Sequence, residues 1–367
     1  MKKGKEIHIL MISSSSAIGG GTSQMFTLGK NLGKEFKVFY AIPDSNNFLK
    51  YLDSGNHLSI SERKLSILDI FKIYIFVKRN SIDLIHAHGK GAGVMARITN
   101  IFARKILIYT FHGIHHKCHN FFIRNFYIFY ENIIGKIDDY KILVSDSERK
   151  FAKSLKIYIG RNSKIIYNGV INKSIKKYND EFTTHKDFSK NKVSVVSVCR
   201  FVAQKNIIDI LKIAVQLPEI NFLIVGDGEL WCEISQAILK AGIKNIFLIG
   251  SKRNIYDYLY NSDIYLSTSL YEGLPISILE AMSVGLPVVA SNVIGNMDTI
   301  EHCKSGYLYE LKNINEAVGY IKSLSVKRQL RIKIGKNAFD RQRNIFAKRS
   351  MINAYHKLYK ELNPNKN

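Results

Sequence analysis

Short apolar runs alternate with amphipathic stretches along almost the whole chain. IHILMI (Ile7 to Ile12) predicts a buried strand, AIGGGTSQMFTLGKNLGKEF a glycine-rich loop and a helix, and KVFYAI a second strand. An apolar-basic helix around Ile67 to Lys78 follows, then the strands SIDLIHAH and ILIYTFHG, a long aromatic helix from Phe121 to Gly135, and KILVSDS. KIIYNGV (Lys164 to Val170) reads as the last strand of this half. Strands that are continuously apolar, with helices between them, predict a parallel sheet covered on both faces.

The polar, aperiodic stretch from Ile171 to Lys192 reads as a linker. Alternation then restarts with VSVVSVCR, NIIDILKIAVQL, NFLIVGDGE, LWCEISQAILKAG, NIFLIG, DIYLSTS and PVVAS. FAKRSMINAYHKLYKEL closes the chain as an amphipathic helix, about residues 346–362. The pattern therefore predicts an α/β protein of two doubly wound domains facing a cleft, residues 1–175 with the terminal helix, and residues 190–345.

Composition narrows the partners. Of 367 residues, 54 are Lys or Arg and 30 are Asp or Glu, a net charge of +24, which calls for anionic company. The segment from Lys136 to Lys177 is markedly basic and suits an anionic membrane surface. No RNP-type strand, helix-turn-helix or zinc-finger spacing accompanies the charge, so nucleic acid is not the expected partner. The apolar runs are too short or too interrupted to span a bilayer, and IHILMI is too short for a signal peptide. Four scattered cysteines without a C-x-x-C pair fit a reducing, cytoplasmic setting.

Candidate chemistry collects at the carboxyl ends of expected strands. In SLYEGLPISILEAMSVGLPVVAS, Glu272 and Glu280 flank a turn in which Gly273, Leu274, Pro275 and Ile276 open a helix, with Pro275 near its first turn. Amides at such a start bind anions, and glycine lets a ligand approach the backbone. A glutamate pair also suggests glycoside hydrolysis, but that chemistry needs carboxyl groups on opposite sides of the bond to be cleaved. Arg200 and Lys205, in VSVCRFVAQKN, could grip a diphosphate. Gly19, Gly20 and Gly21, and the GDGEL turn at Gly226, each lack the spacing of a P-loop or a dinucleotide fingerprint. His112 ends a strand, where an imidazole can meet a sugar hydroxyl. The nearby His115, His116, Cys118 and His119 have no second ligand pair, so no metal site is expected.

E-G-L-P-x-x-x-x-E-A-M, with R-x-x-x-x-K ahead of it, is similar to the retaining glycosyltransferases of family four, of GT-B architecture. GGG, IHAHG, TFHG, LVSDSE, IIYNGV, IVGDGE and GLPVVAS occur in the matching order. The resemblance implies that Arg200 and Lys205 hold the donor diphosphate and that Glu280 holds the ribose. Glu272 and the amides of 273–276 engage the sugar and phosphates, His112 contacts the donor sugar, and the loop at Gly20 and Gly21 closes over the diphosphate. It also implies that the terminal helix crosses back to the first domain. Asn206 stands where the family has glycine, and Thr22-Ser23 where an acidic residue often follows the glycines.

The expected activity is transfer of a hexose, from a UDP-sugar by preference, to a lipid-linked saccharide in surface polysaccharide assembly, without metal or cofactor. Such an enzyme would work in the cytoplasm, peripherally at the inner face of the membrane. A sugar-nucleotide epimerase on the same architecture and a basic nucleic-acid-binding protein are the alternatives.

Overall fold

The computed structural model describes residues 6–363 except 17–18, 46–48, 50–51, 53–54, 115–120 and 176–191. The His115–His119 cluster and most of the expected linker lie outside the described residues. Two compact units divide the chain, residues 1–168 with 349–367, and residues 169–348.

The first unit runs β1 (Ile7–Ile12), α1 (Gly20–Asn31), β2 (Phe36–Ile42), β3 (His57–Ser59), α2 (Ile67–Arg79), β4 (Leu84–His88), α3 (Lys90–Ala103), β5 (Ile106–Thr110), α4 (Phe121–Ile133), β6 (Tyr140–Leu143), α5 (Asp146–Ser154) and β7 (Ser163–Ile165). Its seven strands are all parallel, in the order β3-β2-β1-β4-β5-β6-β7. Because β1 is followed outward by β2 on one side and by β4 on the other, the loops after β1 and β4 diverge there, leaving a crevice at their carboxyl ends.

Residues from α2, α3 and α5 form the core on one face of this sheet; those of α1 and the C-terminal helix form the other. The central strand β4 is buried at every position, including two histidines. Burial of a polar ring demands partners. His86 finds both: its Nδ1 lies 2.6 Å from the Tyr359 hydroxyl and its Nε2 2.8 Å from that of Thr110. Tyr359 is supplied by the C-terminal helix, so this helix is tied to the sheet by a polar bond as well as by Met351, Tyr355 and Leu358.

In the second unit come β8 (Ser194–Val198), α6 (Ile207–Val215), β9 (Asn221–Val225), α7 (Trp231–Lys240), β10 (Ile246–Gly250), α8 (Tyr256–Tyr260), β11 (Ile264–Ser267), α9 (Ile276–Ser283), β12 (Val288–Ser291), α10 (Asn296–Thr299), β13 (Gly306–Tyr309), α11 (Ile314–Val326) and α12 (Arg328–Ile345); α13 (Lys348–Glu361) ends the chain. The order β10-β9-β8-β11-β12-β13, again parallel, puts a second crevice between β8 and β11.

Two boundaries read from the sequence shift. KIIYNGV is not one strand: β7 stops at Ile165, and Val170 bridges instead to Ala347. Gly169 sits so close to that segment that a Cβ would lie 2.7 Å from the Ala347 carbonyl oxygen. Pro275 stands near the first turn of α9 as expected, capping it in extended conformation one residue before the helix. The terminal helix is separated from α12 at Phe346 and starts at Lys348.

Candidate active site

In the second unit, the loops after β8 and β11 bring together residues 67 positions apart. Lys205 Nζ donates to Glu272 Oε1 in a mostly buried ion pair. The backbone around the pair is stitched from both sides. Thr268 Oγ1 donates to the carbonyls of Lys205 (2.9 Å) and Asn206 (3.0 Å). The Leu270 amide donates to Gln204 O at 2.8 Å, and Gln204 Nε2 to Tyr271 O at 2.8 Å.

Asn206 takes the left-handed conformation, φ 47° and ψ 51°, where glycine is the usual occupant. Asparagine is among the few residues with a side chain that enter this region readily. Its amide also donates to Asp209 Oδ2 at 2.6 Å, anchoring the start of α6. The departure from the family pattern is therefore accommodated without moving Lys205 off the loop.

Gly226 is required by the protein's own backbone: at φ 144°, a Cβ would come 1.8 Å from the Cys199 carbonyl oxygen. It lets the loop after β9 press on the loop that carries Arg200. Arg200 is half-buried and, among the described residues, makes no ion pair with an acid. A small depression beside Lys205 is lined by Cys199, Tyr265, Thr268, Ser269 and Ser277.

Glu272, Gly273, Leu274 and Pro275 are buried, and Ile276 starts α9. The first amides of a helix have no carbonyl within it to bond, and Pro275 offers no side-chain cap to α9. One turn along is Glu280. Burial pushes its carboxyl up to about 7, and no protein donor is hydrogen-bonded to it among the described residues. A carboxylate without donors, next to an amide-lined helix start, is suited to hydroxyl groups brought by a ligand.

The corresponding end of the first unit is lined by imidazoles. Gly20 and Gly21 open α1 rather than forming a free loop. Gly21 lies against the His112 ring, where a Cβ would be 3.1 Å from its Cγ. His112 itself is held at φ 57°. Its loop is fixed by Glu148, which is fully buried and accepts from the amides of Gly113 (2.6 Å) and Val144 (2.8 Å). His88 Nδ1 lies 2.9 Å from His112 Nε2, and the His88 ring packs 4.0 Å from that of His86. Burial lowers all three imidazoles, His112 to about 4 and His86 to about 3, so they are neutral at physiological pH.

His88 and Glu148 carry no assigned role in the sequence reading. Both stand in segments that mark the family order, IHAHG and LVSDSE, and that was their only signal. Among the described residues no group of three or more His, Cys, Asp or Glu could hold a metal ion.

Comparison with known proteins matches both halves. The family model described as Glycosyltransferase Family 4 covers residues 18–172, and that described as Glycosyl transferases group 1 covers 179–341. Similar proteins include the Escherichia coli UDP-Gal:α-D-GlcNAc-diphosphoundecaprenol α-1,3-galactosyltransferase, 25% identical over 350 residues and 86% of each chain. The Staphylococcus aureus capsular polysaccharide biosynthesis glycosyltransferase CapH is 26% identical, over 81% of this chain and 85% of its own. Among solved structures, Anabaena HepE in complex with UDP and glucose superposes with a TM-score of 0.82 at 20% identity, covering 97% of this chain and 100% of that one. The lipopolysaccharide outer core galactosyltransferase WaaB, in its apo form, gives 0.72 at 17% identity, covering 97% and 100%. With two parallel sheets of the same winding, both family models in order, and this fold, the chain belongs to the family-four glycosyltransferases of GT-B architecture.

Proposed function

We propose that the chain transfers a hexose from a UDP-sugar to a saccharide on a lipid carrier, with retention of anomeric configuration, in the assembly of a surface polysaccharide. The observation that carries the reading is Glu280: a carboxylate without protein donors among the described residues, one turn from the amides that start α9, the helix that follows Glu272 of the Lys205 pair. Ribose hydroxyls would supply the missing donors. The diphosphate would lie on the amides of 273–276 with Lys205 and Arg200 beside it.

In this reading the bond from the sugar's anomeric carbon to the diphosphate oxygen breaks, and negative charge grows on the departing phosphates. Fixed cations and amides that meet that charge as it forms lower the barrier more than they tighten the ground state. Neutralisation is assigned to protein cations, with no metal or cofactor taking part. His112 is assigned to the donor sugar. The UDP-Gal donor and diphosphoundecaprenol acceptor in the name of the E. coli relative, and the capsular role named for CapH, support the substrate classes.

Thermal-shift titration with UDP, GDP, ADP and CMP, with and without magnesium, tests the site. UDP should raise the melting temperature of the wild type equally in both conditions and leave Glu280→Ala unmoved. Absence of any nucleotide shift would remove the basis of the reading.

A further inference from the structure

We infer that Glu62 is a positioning residue: its carboxylate clamps the connection between β1 and α1 and, through that connection, seats the His112 ring for the donor sugar. The clamp stands on the first unit's own geometry, and its effect on turnover rests on the proposed function.

The connection begins with four serines, Ser13 to Ser16, and neither it nor the first turn of α1 contains an acid. Serine hydroxyls compete with the backbone for hydrogen bonds, so a run of them takes the conformation that outside partners select. Ser13 is selected by the sheet, its amide donating to Ala41 O at 3.1 Å. Ser16 is selected by Glu62. The Ser16 amide donates to Glu62 Oε1 at 3.3 Å, and the Ser16 hydroxyl donates to the same oxygen. Glu62 Oε2 accepts from the Ser45 hydroxyl, beyond the end of β2, at 3.2 Å. One carboxylate therefore ties together the segments that follow β1, β2 and β3. These donors, the Ser16 hydroxyl foremost, hold its carboxyl below the ordinary value.

An exposed glutamate normally moves freely, because ordering its side chain costs entropy. Here the backbone is fixed on both sides of it. The Ser61 amide donates to Oδ2 of the buried Asp69 at 2.8 Å, and the Arg63 amide donates to Ser14 O at 2.9 Å. Arg63 is held at φ 51°, a left-handed conformation that a residue with a side chain keeps only where its surroundings impose it. The strained turn presents Glu62 to the serines.

The clamped connection bears in turn on the imidazole end of the sheet. Ser14 Oγ fills the space that a side chain at Gly91, in the first turn of α3, would need. Thr22 Oγ1 lies 3.5 Å from Ser13 Oγ, and Gly21 forms a wall against the His112 ring. Among the described residues that ring has one hydrogen bond, to His88, and its Nδ1 has none. The wall at Gly21 therefore limits the freedom that the bond to His88 leaves, and Glu62 fixes the segment that leads to the wall.

Hydrogen–deuterium exchange and donor turnover, both on the full chain, test the inference together. In Glu62→Ala, exchange at Ser13–Ser16 and Ser61–Arg63 should quicken, and exchange in β4 should not. UDP release from UDP-glucose or UDP-galactose, whichever the wild type consumes, should fall about tenfold in kcat with the donor KM little changed, the effect of a small misplacement at a reacting centre. Glu62→Gln, which keeps an oxygen for Ser16, should recover most of both. The UDP-induced rise in melting temperature should be the same in both variants as in the wild type, because the diphosphate residues belong to the second unit. Unchanged exchange in Glu62→Ala would remove the clamp. Quickened exchange with wild-type turnover would show that His112 does not depend on it, and a Glu62→Gln variant as slow as Glu62→Ala despite wild-type exchange would put the charge, not the position, to use; either result overturns the inference. A wild type that consumes neither sugar nucleotide would sink the proposed function, while the exchange comparison, which uses no donor, would still decide the clamp.

Discussion

At the β1/β4 crossing three imidazoles lie in a row, His86 packed tilted against His88 and His88 stacked on and bonded to His112, each held neutral by burial. At the β8/β11 crossing sit Lys205 with Glu272, the unbonded Glu280 and Arg200. The two sheets share one strand order, 3-2-1-4-5-6 counted within each, and differ only by the extra β7 edge of the first. Winding therefore decides where a ligand can lie, while the loop sequences decide what it meets. In the first unit the buried cations Arg97 and Lys141 are paired with acids away from the crossing, and the crossing presents neutral imidazoles. In the second the crossing itself holds the charge, as a site for a diphosphate requires.

Removing a cation from the charged crossing should break this contrast most severely. Lys205→Ala is expected to lower kcat by about 10²–10³, the scale of losing one donor to a developing oxyanion, and to lower the melting temperature as well, because Glu272 loses its buried partner; steady-state kinetics on the donor, below the variant's own melting temperature, measures it. A variant that turns over like the wild type would show that the crossing does not work through its charge.

The pH profile separates the two crossings next. Glu280 titrates near 7 and should hold ribose hydroxyls when ionised, so kcat/KM for the donor should rise with pH through about 7. Glu280→Gln should flatten that limb, and His88→Asn should leave it, because the imidazoles titrate well below. Stability has the opposite sign. A carboxyl raised from 4.5 to about 7 in the folded state costs stability progressively as pH rises across that window. Glu280→Gln should therefore melt higher than the wild type at pH 8 without ligand, and lose the stabilisation by UDP.

A smaller effect tests the neutral crossing. His88→Phe keeps the stacked ring but deletes the 2.9 Å bond to His112, and should lower kcat about tenfold, as lost orienting bonds do elsewhere. His88→Asn, which places an amide near the position of Nδ1, should restore most of it with an unchanged donor KM. Equal activity in all three forms would mean that His112 needs no orientation from its neighbour. The smallest change is expected at Asn206: alanine there should cost about 1–2 kcal/mol from the left-handed backbone alone, and glycine much less, as read by urea denaturation.

Much of this architecture is legible in the sequence. Apart from His8 and Asn221, IHILMI and NFLIV are apolar because helices cover them on both faces, and that pattern announces a parallel sheet. The start of α9 is marked by its glycine and proline. β3 is not legible, since three half-buried residues, His-Leu-Ser, carry no period. Nor can the early end of β7 be read, because it is set by the approach of Ala347, far along the chain. The same distance hides the partners of the site. Lys205 finds Glu272 across 67 positions and His86 finds Tyr359 across 273, and nothing local to either residue names the other. The polarity of α4 is hidden too: its phenylalanines suggest a core-facing stripe until Arg97 is seen to draw Glu131 inward.

The bond from His86 to Tyr359 also has a consequence in time. A ribosome delivers β4 long before α13, and the whole of the second unit is made in between. The second unit can close as soon as its own residues have emerged, whereas the first must wait with one face of its sheet covered by α1 alone and a buried-type histidine still wet. The unit that is synthesised first is thus the one finished last, and its final turn of helix acts as the clasp.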